Sequence, residues 1–419
     1  MRTGISRPDS LTGSPLTRPA IGGPVLVGLF LIFGYGLWLI AGPVLARPEI
    51  WGVLFTSLGL ALLACMPAIA TVLYLDRREP EPWWLLTLTF LWGAVVATGI
   101  AVVLETMASE SLAVLFDESV ALVDTTQLGL QLLDPDALFT WLESSMIAPF
   151  VEEALKGLAL VLLFLLIPAE TNTMRDGIVY GALVGLAFAV VEATAFIISG
   201  YVETGTAEYL AELIPRFVLF GLNGHTLYSA LFGAALGWAR QSTSYGAVRK
   251  SLTIAGGLVL ALAAHGMANA FGPFALSVFA SLTGLGPTVT GAQLWFLDLA
   301  KVIATNVWAY VIILYMVIRS GYWELEVCRS ELSEEVPDVV TPAELELVEG
   351  EGLWRIRRIP GFSSRRSARL VRAQNELAFR RHDVRRAGLD PDSDPIVSQW
   401  RRFISDIRED RARASAPHA

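Results

Sequence analysis

Ionisable side chains lie inside long apolar segments of this chain, where such residues are rare and usually functional. The set comprises Glu152, Glu153, Lys156, Glu192, His225, His265, Asp298 and Lys301. Asn269 follows His265 by four residues, so on a helix the two side chains share a face. The chain has four histidines, and the two outside this set, His382 and His418, lie in a polar C-terminal segment.

Two imidazoles and a carboxylate are a ligand set for a catalytic zinc ion that keeps one position open for water. A second carboxylate nearby could act as general base for that water. Glu152 and Glu153 are neighbours, separated by about 100° of rotation on a helix, so we expect only one to face the site. Lys156 is one turn further on and could neutralise either glutamate. Asn269 could orient a water, a substrate carbonyl or a ligand.

The segments that carry these residues are long enough to span a membrane. Of the 419 residues, 54% are hydrophobic and only 17% are charged, against about a quarter charged in soluble domains. The apolar blocks match the roughly 20 helical residues that cross a bilayer. We therefore predict an all-α polytopic membrane protein with about eight transmembrane helices, at 22–46, 50–75, 83–107, 142–168, 177–200, 216–239, 252–278 and 294–318.

Basic residues predict the orientation of these spans. They concentrate in the N-terminal segment and in alternate connections, which places both termini in the cytoplasm of a cell inner-membrane protein. The predicted organisation is a cytoplasmic segment at 1–21, a transmembrane domain at 22–318, and a cytoplasmic tail at 319–419 that is polar and partly helical, with a disordered end. The basic stretch of this tail could contact anionic lipid headgroups or a cytoplasmic partner. A solvated tail without a partner is the alternative, and no nucleic-acid partner is predicted.

The polar residues of four spans fall at a similar predicted depth. With a rise of about 1.5 Å per residue, those of the fourth to seventh spans lie roughly 12–20 Å from the outer face. Burying three glutamates and two histidines together would cost several kcal/mol without partners or a metal. This cost favours a functional cluster. Asp298 and Lys301, three residues apart near the end of the last span, fit a structural pair instead.

The same residues resemble the motifs of the PrsW family of intramembrane proteases. Residues 149–157, Pro-Phe-Val-Glu-Glu-Ala-Leu-Lys-Gly, are similar to its Glu-Glu-x-x-Lys motif. The other matching stretches are 176–181 running on to Phe188 and Glu192, His225 with Gly233, the run from His265 to Asn269, and the proline-rich turn at 76–82. One departure is Ala193, where family members often have Asn. The resemblance covers about residues 50–318.

The resemblance implies hydrolysis of a peptide bond in a single-pass membrane protein, for example an anti-sigma factor, within the lipid bilayer. It implies that Glu152 or Glu153, with Glu153 preferred, is the general base. The implied zinc ligands are Glu192, His225 and His265. Asn269 would hold the scissile carbonyl, and Lys156 would tune the glutamate pair.

Two questions stay open at this level. In the related CAAX prenyl proteases a metal-free mechanism has been argued, so the same ligands could position water and an oxyanion without zinc. The acidic connection at 105–143 could gate access, or it could be a solvated loop.

Two other functions are compatible with buried charges. A proton- or ion-coupled transporter would also place Glu and His at the midplane, but inverted repeats with broken helices would favour it, and no paired pattern of that kind is evident. A catalytically silent scaffold would bind its membrane partner through the tail.

Overall fold

The computed structural model describes residues 14–122, 135–242, 245–284 and 291–415. Within these ranges the regular elements are helices, apart from one isolated bridge between Gly352 and Arg355. The α-helices are α1 Pro19–Leu45, α2 Trp51–Leu75, α3 Trp83–Leu91, α4 Thr98–Leu122, α5 Pro135–Leu142, α6 Ala148–Leu166, α7 Met174–Thr204, α8 Tyr209–Phe217, α9 His225–Gln241, α10 Ala247–Thr283, α11 Gly291–Ser333, α12 Pro342–Glu349, α13 Ser364–Arg386 and α14 Pro395–Ser415.

Six helical segments of the described residues are long and apolar enough to cross a membrane. They are Pro19–Leu45, Pro48–Leu75, Trp83–Val114, Met174–Thr204, Ala247–Gly272 and Ala292–Ser333. The predicted class, an all-α polytopic membrane protein, is confirmed. The count of eight spans stays a prediction, because α6 and α9, which lie in the other two predicted spans, are not among these six segments.

Three predicted spans are interrupted in the structure. The segment predicted at 83–107 contains a π-helical stretch, Trp92–Ala97, between α3 and α4. The segment predicted at 142–168 contains a π-helical stretch, Glu143–Ile147, before α6 begins. The segment predicted at 216–239 is broken between α8 and α9. Leu219 and Phe220 have positive φ angles there, of 56° and 59°. Residues other than glycine rarely adopt this conformation. Hydropathy does not report on backbone angles, so it did not predict the break.

The chain divides into two compact units. Gly13–Tyr74 and Pro82–Leu314 form the first, which we call the membrane unit. Leu75–Glu81 and Tyr315–Ala419 belong to the second, which we call the C-terminal unit. Residues 1–13, 123–134 and 416–419 lie outside the described residues, and so do the predictions that fall on them: most of the cytoplasmic N-terminal segment, the centre of the acidic connection at 105–143, and the disordered end of the tail.

The C-terminal unit has an apolar core of its own. The segment predicted as a polar, partly helical tail contains the end of α11 together with α12, α13 and α14. Their buried core residues are Val327, Cys328, Leu332, Val340, Val348, Ile359, Leu370, Val371, Ala373, Leu377, Ala378, Phe379, Val397, Trp400, Ile404 and Ile407. Most of them are large apolar side chains, whose burial supplies the main driving force for a fold.

Helices α7 and α9 of the membrane unit pack backbone against backbone. Gly177, Gly181 and Gly185 are four residues apart and share one face of α7. A Cβ atom on Gly177 would lie 1.9 Å from the carbonyl oxygen of Gly233, and one on Gly185 would lie 2.0 Å from that of His225. Small residues at this spacing let membrane helices approach closely. The glycines of α7 therefore set the position at which α9 begins.

Replacing Gly185 by alanine is expected to displace the first turn of α9. The new methyl group would occupy space that the His225 carbonyl fills, and such overpacking costs about 1–3 kcal/mol. The control is Gly200→Ala on the same helix, since a Cβ there meets nothing within 4 Å. The free energy of unfolding in bicelles should fall for Gly185→Ala only, and equal stability of the two variants would contradict this packing.

Candidate active site

Four ionisable side chains converge in the interior of the membrane unit. One ligand atom from each of Glu152, Glu153, His225 and His265 can be chosen so that all four lie within 4.8 Å of one another. All four residues are buried. We call them the Glu–His cluster. Three helices supply it, since both glutamates lie on α6, His225 on α9 and His265 on α10.

The irregular segments described above position two of these helices. His225 is the first residue of α9, directly after the break, and is preceded by Gly224 with φ 59° and ψ −136°. This backbone conformation is essentially restricted to glycine. On α10, a Cβ on Gly266 would lie 2.8 Å from the Ser145 carbonyl oxygen in the π-helical segment. The neighbouring His265 is thus held where α10 passes close to the start of α6.

Lys156 places its ammonium group among the ligand atoms of the cluster. Its Nζ atom lies 2.7 Å from Glu153 Oε1 and 3.2 Å from Glu152 Oε2. It also lies 2.8 Å from Nδ1 of His225 and 4.2 Å from the centroid of the Phe188 ring. The side chain of Lys156 is fully buried. A single cation therefore contacts both glutamates and one histidine in the buried interior of the membrane unit.

The two glutamates have different surroundings. Besides Lys156, Glu153 contacts His265 Nδ1 through Oε1 at 3.2 Å and accepts a hydrogen bond from Ser229 Oγ through Oε2 at 3.2 Å. Its oxygens are thus both engaged. Glu152 uses Oε2 for its contacts with Lys156 and with His225 Nδ1, the latter at 3.4 Å. Its Oε1 makes no hydrogen bond to a described residue, so this oxygen is the more available one.

Glu192, which the sequence predicts as a metal ligand, lies on the other side of His225. Its Oε2 atom is 3.2 Å from His225 Nε2, whereas Nδ1 of the same ring faces the cluster. Arg216 donates to that oxygen from Nε at 3.3 Å and also forms an ion pair with Glu212 at 2.6 Å. Glu192 is placed to orient the imidazole ring and to fix its tautomer.

Asn269 lies on α10 one turn after His265, as its spacing predicts. Its side-chain amide donates to the Ser144 carbonyl oxygen at 2.8 Å. Ser144 belongs to the π-helical segment, where backbone carbonyls lose their regular helical partners. Asn269 thus ties α10 to the start of α6.

A cavity of about 280 Å³ opens on the histidine side of the cluster. Its lining includes Glu192, His225, His265 and Asn269, and Arg216 and Lys301 add positive charge. Two further lining residues, Asn223 and Asn306, are buried, and the Oδ1 atom of each is buried with no hydrogen-bond partner among the described residues. A space of this kind can admit a polar chain segment next to the imidazole rings.

Sequence reasoning missed several polar residues of the site. Ser229 is four residues after His225 and shares its helix face, a signal that the pattern contained. Arg216 is the first residue of the span predicted at 216–239 and was not singled out. Glu105 lies two residues from the predicted end of the third span, within electrostatic range of Glu152 and Lys156. Its Oε1 atom is buried without a hydrogen-bond partner among the described residues.

Asp298 and Lys301 form the structural pair that their spacing suggests. Lys301 Nζ donates to Asp298 Oδ1 at 2.6 Å, and Asp298 is almost fully buried. Lys301 also lines the cavity, so the pair lies at its border and outside the Glu–His cluster.

The donor atoms of the cluster suit a divalent transition metal. Imidazole nitrogens and carboxylate oxygens at mutual distances below 5 Å are ligands that zinc accepts. The ammonium group of Lys156 contacts three of the same side chains, so it competes with a metal for their lone pairs. The residues fit a metal ion on condition that Lys156 shifts away from Glu153 when the ion binds.

Removing the charge of Lys156 is expected to destabilise the protein strongly. In Lys156→Met the glutamate pair loses its common cation, and an uncompensated buried charge costs about 3–5 kcal/mol. The matched control is Lys250→Met, because Lys250 lies near the start of α10, away from the cluster. The free energy of unfolding in bicelles measures the difference. A loss no larger than that of the control would mean that the ammonium group is not what stabilises the pair.

Apolar spanning helices around a buried set of carboxylates and imidazoles define a membrane protein with a centre suited to hydrolysis. A family model described as PrsW family intramembrane metalloprotease matches residues 81–316, more than half of the chain. The chain therefore belongs to this family and is an intramembrane protease. It acts on membrane substrates in contact with lipid.

One curated relative illustrates the extent of the similarity. The chain is 26% identical over 240 residues to Protease PrsW of Oceanobacillus iheyensis, an alignment that covers 57% of this chain and 91% of the relative. No solved structure matches the chain. The family match ends at residue 316, so most of the C-terminal unit lies beyond it.

Proposed function

We propose that the Glu–His cluster hydrolyses a peptide bond of a single-pass membrane protein, using water activated by a glutamate at a zinc site. The observation that carries the proposal is the convergence of four ligand atoms from three helices within 4.8 Å. Such a set, buried and bordered by a cavity, combines a means of activating water with a place for the substrate. A single-pass protein such as an anti-sigma factor fits a site built between helices inside the bilayer.

Three residues would hold the zinc ion, namely His225, His265 and Glu153. His225 would bind through Nδ1, because Nε2 faces Glu192, and an imidazole whose other nitrogen bonds a carboxylate keeps its tautomer and orientation. Ser229 would hold the Glu153 carboxylate in place. When bound, zinc would polarise the scissile carbonyl and make a water molecule more acidic. The contacts of Glu192 favour an orienting role over the ligand role that the resemblance implies.

Glu152 is the better candidate for the general base. A base needs a lone pair within hydrogen-bond reach of the water, and Glu152 Oε1 makes no hydrogen bond to a described residue, whereas Lys156, His265 and Ser229 engage both oxygens of Glu153. This reverses the preference for Glu153 that the resemblance implied. Lys156, next to both carboxylates, would compensate part of their negative charge.

The cavity would bind the substrate as an extended segment. A peptide bond must leave its helix to be cleaved, and inside a bilayer the freed backbone groups need protein partners. The unpartnered Oδ1 atoms of Asn223 and Asn306 could accept backbone N–H groups of such a segment. Asn269 would keep the start of α6 aligned with the imidazoles, next to the scissile carbonyl.

The location that we propose rests on the distribution of charges. The distribution of arginine and lysine supports a cell inner membrane with both termini in the cytoplasm. The substrate would then be cut near the outer boundary of its span, at the predicted depth of the cluster. The C-terminal unit would face the cytoplasm, where it could meet a partner.

The test is co-expression with a library of tagged single-pass proteins. Fragments should appear with the wild-type enzyme and be absent with His225→Ala, while His382→Ala, a histidine of the C-terminal unit, serves as the matched control. Cleavage that does not depend on His225 would place the hydrolytic centre elsewhere. A wild-type enzyme that cleaves no member would refute the single-pass substrate class.

A further inference from the structure

The C-terminal unit carries a run of arginines without any acidic residue. Residues 352–372 contain seven arginines and no Asp or Glu. Arg357 is buried and pairs with Glu351 at 2.7 Å. The other six are exposed, and we call them the basic face: Arg355, Arg358, Arg365, Arg366, Arg369 and Arg372.

Three of these six arginines lie on one side of α13. Arg365, Arg369 and Arg372 follow one another at three- and four-residue spacing, so they line one side of α13. Arg358 lies beside the same helix, because both of its neighbours are tied to it: Arg357 donates to side chains of α13, and the Ile359 amide donates to Ser367 Oγ at 2.8 Å. The basic face therefore consists of arginines in the connection before α13 and in the first half of that helix.

The basic face differs from the other arginines of the same unit. In the second half of α13 and in α14, arginines form close ion pairs: Arg380 with Asp394, Arg381 with Glu334 and Glu335, Arg385 with Glu334, Arg401 with Glu335, and Arg408 with Glu344. The basic face makes no ion pair with any side chain that the structure describes. Its positive charge is therefore not compensated within the unit.

The C-terminal unit includes a loop that is connected along the chain to a spanning helix. The loop at 75–81, which joins α2 to α3, is part of the C-terminal unit. Arg78 is fully buried there and donates to the carbonyl oxygens of Gly352 and Leu353 at 2.8 and 3.0 Å. Arg78 is only three residues, at most about 11 Å of chain, from Leu75, where α2 ends. Gly352 and Leu353, which directly precede the basic face in the sequence, thus contact a loop that connects two spans.

We infer that the basic face binds anionic lipid headgroups of the membrane that the protein spans. Guanidinium groups form bidentate hydrogen bonds with phosphate, and the negative surface potential of a bilayer acts over about one Debye length, near 8 Å at physiological ionic strength. Trp354, half exposed beside Arg355, is of the type enriched at membrane interfaces. The chain connects this unit to the spans at both ends of the loop at 75–81 and through α11. The concentration of lipid around the unit is therefore permanently high. This inference is independent of the hydrolytic chemistry.

A fluorescent label on α13 tests the inference in the full-length protein. Ala368 is exposed between Arg365 and Arg372, and both native cysteines are buried, so Ala368→Cys can be labelled selectively with an environment-sensitive dye. The protein is placed in nanodiscs of phosphatidylcholine alone or of phosphatidylcholine with phosphatidylglycerol. In the anionic discs we expect a blue-shifted emission and quenching by spin-labelled lipids, and high salt should reverse both.

Two sets of variants separate charge from fold. Changing Arg365, Arg366, Arg369 and Arg372 together to Gln should abolish the response, since each basic residue near a bilayer contributes about a fivefold change in affinity, or several hundredfold for four. Changing the same four to Lys retains the charge and should retain most of the response. If the Gln set is poorly folded, the salt titration of the labelled Ala368→Cys protein, which keeps its arginines, still tests whether the basic face binds anionic lipid.

Each remaining outcome overturns the inference. Equal emission and quenching in the two kinds of nanodisc would show that the surface does not bind anionic lipid. The inference also fails if single-stranded RNA shifts the emission in phosphatidylcholine discs while phosphatidylglycerol does not, because the partner would then be a nucleic acid. A response that persists in the Gln set would assign lipid contact to residues other than the basic face.

Discussion

Glu152→Gln is expected to abolish peptide-bond cleavage while the protein still folds and still binds metal. The substitution keeps the size of the side chain but removes the carboxylate that would take the proton from water. Loss of a general base lowers the rate by about 10²–10⁴-fold. The measurement is kcat/KM for a cleaved single-pass substrate in nanodiscs, together with the zinc content of the same preparation.

Glu203→Gln is the matched control, because Glu203 is exposed in the last turn of α7. It should cleave at the wild-type rate. If Glu152→Gln cleaves within about tenfold of wild type, less than a general base contributes, then Glu152 is not the base. Glu153→Gln and Glu192→Gln would then need to be compared for that role.

Glu153→Gln and His265→Ala are expected to lose the metal as well as the activity. Glu153 contacts His265 Nδ1 at 3.2 Å and is held by Ser229, so both variants remove proposed ligands from one side of the cluster. Even residues that only orient a metal ligand contribute about 10–100-fold to metal affinity. Removing a ligand itself should lower the affinity by a larger factor. Zinc content by mass spectrometry should fall from about one ion per chain in the wild type to near zero in either variant.

The control for this experiment is His382→Ala, which removes a histidine of the C-terminal unit and should leave the zinc content unchanged. Glu192→Gln should retain part of the zinc, because its carboxylate contacts the far nitrogen of His225. A wild-type protein that binds no zinc after purification without chelators, yet still cleaves, would favour the metal-free mechanism. In that case the ammonium group of Lys156 would be the cation of the site.

Much of the site follows from sequence because a buried charge in a spanning helix has few explanations. Glu152, Glu153, His225 and His265 stand out in apolar surroundings, and the rise per residue places them at a similar depth. Sequence does not give the rotation of each helix, which decides which ring nitrogen faces which carboxylate. The ligand role predicted for Glu192 stays a prediction, and the structure adds that its carboxylate lies 3.2 Å from Nε2 of His225. Without these rotations, sequence also does not show that both oxygens of Glu153 are engaged, whereas Oε1 of Glu152 makes no hydrogen bond to a described residue.

The fold class also follows from the apolar blocks, whereas the interruptions within them do not. Nothing in hydropathy distinguishes Leu219 and Phe220, which adopt positive φ angles, from other apolar residues. The local signals of a break were Pro215 before them and Gly221 and the Asn223–Gly224 pair after them. The break nevertheless determines where His225 begins α9. Similarly, the loop at 75–81 is too short to predict as part of another unit, and its role depends on Arg78 being buried among residues almost 300 positions later.

The most direct test of the central claim is cleavage in water enriched in oxygen-18 by the purified enzyme in nanodiscs. If Glu152 activates water at the Glu–His cluster, mass spectrometry of the wild-type product will show one heavy oxygen in the new terminal carboxylate. The Glu152→Gln enzyme will yield no such product under the same conditions. A product without heavy oxygen, or equal labelled product from the two enzymes, would contradict hydrolysis by glutamate-activated water at this site.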